Sequence, residues 1–129
     1  MARDTTRAAV LFEKGCQAGH GMACVYAGDA YGHGEGTPRD DARAGTLYGR
    51  AVTLLAPECA SGDATACHAL GMLYYVGQGV AQDSARARDY FEKACRGGNQ
   101  NACEAARRAG RPPDASASRP LRTRPRPRP

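Results

Sequence analysis

Six cysteines fall into three pairs of identical spacing. They stand in CQAGHGMAC (Cys16, Cys24), CASGDATAC (Cys59, Cys67) and CRGGNQNAC (Cys95, Cys103). Each pair is C-x7-C with a central glycine and an alanine before the second cysteine. Self-similarity at a fixed period constrains a chain more than any local signal. Each unit buries its apolar face only by stacking on its neighbours.

The stretches between the pairs also align. CVYAGDAYGHGEGTPRDDA, from Cys24, lies on CHALGMLYYVGQGVAQDSA, from Cys67. Gly28 falls on Gly71, Tyr31 on Tyr74, Gly34 on Gly77, Gly36 on Gly79 and Asp40 on Asp83. The first residues, DTTRAAVLFEKGC, lie on DSARARDYFEKAC, with Asp4 on Asp83. The period is 36 from Cys59 to Cys95 and 43 from Cys16 to Cys59, an insertion of seven.

The stretch LGMLYYVGQGVAQD (Leu70 to Asp83) shows what a unit is. A phosphate-binding loop sets its glycines between a strand and a helix. Here a helical pattern precedes them, with Asp63 as its N-cap and residues 64–76 as its body. Gly77 and Gly79 end it, and Asp83 caps the next helix. Each unit therefore reads as helix A, glycine turn, helix B, glycine turn. The structural turn set is Gly28, Gly34, Gly36, Gly71, Gly77 and Gly79.

In this reading one cysteine ends a helix B and its partner opens the next helix A, across a tight corner within disulfide reach. In the chain-entropy model so short a loop contributes roughly 2.5 kcal/mol. Reduced thiols and metal binding are the rival readings. Against a metal, there is no C-x2-C and successive pairs lie a repeat apart.

The unit A-C-x3-LG-x-LY-x2-G-x-GV-x2-D-x2-RA-x2-YF-x-KAC-x2-G resembles the Sel1-like repeat, a relative of the tetratricopeptide repeat. The paired cysteines resemble those of the Helicobacter cysteine-rich proteins. The resemblance spans roughly residues 3–104, with departures at Thr37, which stands where Val80 does, and Gly32, where Tyr75 does. It implies an all-α, right-handed α/α superhelical solenoid that binds partners on its concave face. It also implies export, disulfide bonding and an association with penicillin binding and β-lactamase activity. Residues 1–110 are expected to form the solenoid. It divides into a half-repeat 1–16, repeats 17–59 and 60–95, and a terminal half-repeat 96–110. The insertion keeps the facing phase, since seven residues are nearly two turns. Gly45 and Gly49 weaken its helix, and Pro57 is expected to break it.

Both ends look incomplete. The chain opens on a helix B, and Met1 falls on Val80. A GTG codon reads as Val internally and as Met at a start. The expectation is a misassigned start, with a helix A and a signal peptide encoded upstream. The protein is then periplasmic or secreted, and otherwise cytoplasmic. At the other end Arg107 stands at the position of Gly71, as suits a polar capping half-unit.

Residues 111–129 hold six Arg, six Pro and one Asp, so the whole net charge of +5 lies in this tail and residues 1–110 are neutral. Such a composition cannot bury enough apolar surface to order itself, and the tail reads as disordered. Its charge alone does not make a specific nucleic-acid site, for no aromatic residue is interleaved with it. No apolar run is long enough to span a bilayer.

No catalytic, metal or cofactor site is expected. Ser61, Ser84, Ser116 and Ser118 lack a lysine three residues on, and there is no Ser-Asp-Asn or Lys-Thr-Gly. His20, His33 and His68 are scattered. A non-catalytic, monomeric scaffold for a protein or peptide is the leading reading. Its groove is drawn from positions of helix A that do not match between units: Val25, Asp29 and Gly32, then His68, Met72 and Tyr75. A β-lactam-binding or weakly hydrolysing protein is the alternative.

Overall fold

The computed structural model describes residues 2–109. Within them six helices follow one another: α1 (Ala2–Gln17), α2 (Gly21–His33), α3 (Asp41–Ala60), α4 (Ala64–Val76), α5 (Ser84–Arg96) and α6 (Gln100–Ala109). α2, α4 and α6 are A helices, and α1, α3 and α5 are B helices. The tail 111–129 and Met1 lie outside the described residues.

Local chemistry sets the boundaries. The carboxylates of Asp40, Asp63 and Asp83 accept from the backbone N–H of Arg43, Ala66 and Arg86 at 3.0–3.1 Å. They satisfy amides that have no partner within the helix. The Asn99 side chain does the same for Ala102 at 3.0 Å. At the other end, Gly34 and Gly77 take left-handed φ of 68° and 86°. Their N–H groups turn back to the carbonyls of Ala30 and Leu73. The loops then close identically, with Asp40 N–H on Tyr31 O and Asp83 N–H on Tyr74 O, both at 2.9 Å.

The three corners also match. Cα atoms of Cys16 and Cys24 are 4.4 Å apart, those of Cys59 and Cys67 4.7 Å, and those of Cys95 and Cys103 4.6 Å. All six cysteines are disulfide-bonded. The thiol and metal readings therefore give way to staples.

One expectation needs correction. Pro57 does not break α3, because the helix runs on to Ala60. Pro57 and Thr53, whose carbonyl loses its donor, are both exposed, so water can replace the bond. On the opposite face Leu55 and Cys59 are buried and hold the turn in place.

The insertion lengthens α3 to 20 residues against the 13 of α5. Its buried face continues unbroken through Ala44, Tyr48, Ala51, Leu55 and Cys59. That spacing of four, three, four and four is one helical stripe. α3 runs antiparallel to α2, with Tyr48 against Gly28 and Leu55 against Gly21. Seven further residues add about 10 Å of helix. α4 packs mainly on α3 and α5 and only lightly on α2.

Candidate functional site

The A helices carry the candidate site, and glycine sets how closely they meet the B helices. Gly28 and Gly71 lie inside α2 and α4, not in turns. A Cβ on Gly71 would stand 2.5 Å from the Phe91 ring, and one on Gly28 would stand 2.7 Å from Tyr48. Each aromatic ring thus lies directly on helix backbone. These ring contacts are invisible in a one-dimensional pattern, although the matched glycines marked the positions.

Rings and charges around these crossings also repeat. Arg43 lies 5.0 Å over Tyr31, and Arg86 lies 5.4 Å over Tyr74. In the first unit Glu13 of α1 joins them, accepting from the Tyr31 hydroxyl at 2.9 Å and pairing with Arg43. In the second, Tyr74 stacks on Tyr90 with ring centres 5.6 Å apart.

The two halves of the expected stripe differ. On α2, Val25 packs against the core and Asp29 accepts a hydrogen bond from the Tyr48 hydroxyl. Burial first, and then this carboxylate, push the Tyr48 phenol far above its ordinary pKa. Gly32 lies 3.7 Å from Ala44 and 3.8 Å from the Tyr48 hydroxyl, measured from a Cβ built on it. On α4, Met72 is 44% exposed and Tyr75 38% exposed. Val76, which the stripe omits, is exposed beside them. His68 is half-buried with its ring 5.7 Å from Phe91, and Tyr75 meets the same ring edge-on at 6.4 Å. Burial holds the His68 imidazole below its ordinary pKa.

Hydrolysis would need a serine beside a base. The Ser61 hydroxyl donates to the Pro57 carbonyl at 3.0 Å, and the Ser84 oxygen accepts from Gln82 at 2.9 Å. Both sit at helix ends. Ser116 and Ser118 lie outside the described residues. Among the described residues no three His, Cys, Asp or Glu side chains cluster as a metal site would require. No helix there is long and apolar enough to cross a membrane.

The profile of the family described as Sel1 repeat matches residues 1–20, 21–54 and 64–99. The chain belongs to the Sel1 repeat family. The match pauses over residues 55–63, the end of the lengthened α3 and the corner behind it. The structure is similar to Helicobacter pylori cysteine rich protein B at 32% identity, covering 75% of this chain and 68% of that one, with a TM-score of 0.51. A Sel1 repeat protein from Oxalobacter formigenes is also similar, at 19% identity, 77% and 96% coverage and a TM-score of 0.44. No curated protein matches the chain. This Sel1 chain is thus a disulfide-stapled helical solenoid of the cysteine-rich kind. Sel1 repeat proteins are in general scaffolds for protein interaction.

Proposed function

We propose that this Sel1 chain is a non-catalytic, monomeric scaffold that binds a protein or peptide through the exposed face of its A helices. The observation that carries this reading is the apolar patch of Met72, Tyr75 and Val76 on α4. These side chains stand in solvent on a helix whose other faces are packed. Disulfide-stapled corners and the Phe91 ring beneath hold the patch rigid, which lowers the ordering cost of binding. His68, half-buried one turn before Met72, sets a polar edge to the patch. Three disulfides suit an oxidising compartment, so the protein functions outside the cytoplasm.

The test is selection of a displayed peptide library on the full oxidised chain. Selected peptides are expected to lose binding on Met72→Asp or Tyr75→Ala, with helicity and melting temperature kept. Peptides indifferent to both changes would remove α4 as the binding face.

A further inference from the structure

The three staples are not equally open. Cys16, Cys24, Cys59 and Cys67 are sealed, at no more than 3% exposed. Cys95 and Cys103 are both partly exposed. A further B helix packs on α2 and on α4, the A helices of the first two corners. None follows α6 among the described residues. The sequence beyond it carries six prolines in 111–129, a composition that does not build such a helix.

Charge favours the same corner. The last turn of α5 carries Lys93 and Arg96, both exposed, against Lys14 alone in α1 and no base in α3. Arg107 stands one turn after Cys103. Cys103 itself lies in the first turn of α6, whose free N–H groups stabilise a thiolate. Cys95 lies in the last turn of α5, at the carbonyl end, which does not.

α6 is lightly held. It has ten residues, a length at which an isolated helix is marginal. Its apolar side is Ala102, Ala105, Ala106 and Ala109, and the last three cluster with Ala87 and Phe91 of α5. Alanine methyl groups remove little apolar surface from water, so the disulfide is the main tie.

We propose that the Cys95–Cys103 disulfide is an exchange site for a small anionic thiol, of the class of glutathione, and that opening it frees α6. The incoming thiolate attacks Sγ of Cys95. A new S–S bond forms there, the Cys95–Cys103 bond breaks, and Cys103 leaves as a thiolate. The incoming sulfur is oxidised and the Cys103 sulfur reduced, with no other reactant needed. Release of α6 uncovers Ala87 and Phe91 on α5. The site does not rest on the α4 patch, so either reading can fail alone.

The test incubates the full oxidised chain with an excess of reduced glutathione. Samples are quenched with N-ethylmaleimide at intervals and mapped by peptide mass. The third pair is expected to open at least about tenfold faster than either other pair, with glutathione on Cys95 and maleimide on Cys103. Hydrogen exchange of the α6 amides should then rise at least about tenfold while those of α4 stay protected. Lys93→Glu with Arg96→Glu should slow glutathione by about threefold or more and leave the uncharged thiol mercaptoethanol unaffected. Opening of all three pairs together, or of another pair first, would overturn the proposal. So would an opened third staple with α6 still protected. Equal slowing of both thiols would overturn the preference for an anion.

Discussion

Phe91 packs directly against α4 at Gly71, where a Cβ would stand 2.5 Å from its ring. Glycine weakens an isolated helix by roughly 0.5–1 kcal/mol relative to alanine. Here that cost is offset by burying an entire phenyl ring, which is 1% exposed. Gly71→Ala is therefore expected to destabilise the chain by about 1–3 kcal/mol, the usual cost of overpacking. At Gly45 of α3 an added Cβ would meet nothing within 4 Å. Gly45→Ala should then stabilise by about 0.4–1 kcal/mol. Urea denaturation of both variants checks the opposite signs.

Tyr48 combines the same crossing with a polar tie. Its ring lies on Gly28 and its hydroxyl donates to Asp29. Tyr48→Phe keeps the ring and leaves a partly buried carboxylate short of a donor. A loss of about 1–3 kcal/mol is expected. Tyr48→Ala removes the ring as well and should cost about 3–5 kcal/mol. No loss on Tyr48→Phe would mean that the hydroxyl contributes nothing, and equal losses would mean that the ring contributes nothing.

The staples are separable. Each closes a loop of sequence separation 8. Replacing Cys59 and Cys67 together by serine should cost about 2–4 kcal/mol. The unaltered chain should resist alkylation until reduced, which intact mass detects. Ready alkylation of the native chain would contradict the disulfides and the oxidising compartment with them.

His68 makes stability depend on pH. Burial lowers its folded pKa below the unfolded value, so folding favours the neutral ring. Its contribution is fully present above about pH 6.5 and is lost as pH falls through the lower folded pKa. Between about pH 7.5 and about pH 5, the unaltered chain should lose more stability than His68→Gln. Parallel denaturation curves for the two would show that His68 titrates as an unfolded residue does.

Much of the fold was legible because it is local and repeated. Asp63 and Asp83 could be read as caps, and Gly34 and Gly77 as stops, since each acts on amides or carbonyls within a turn of itself. The C-x7-C spacing implied corners for a similar reason: each pair sits on two helix ends joined by a short glycine turn. Asp29 was harder. Its place on the stripe was evident, but its bond to Tyr48 joins residues 19 apart in sequence.

The sequence by itself determined the period, the helices, their caps and the pairing of cysteines, because short-range geometry decides these. Only the tertiary structure decided that Pro57 is tolerated, that Gly28 and Gly71 seat aromatic rings, and which half of the A-helix face stays exposed. Those outcomes rest on contacts between separate helices. There a neighbour's shape outweighs local propensity, and a residue's cost or value follows from what packs against it.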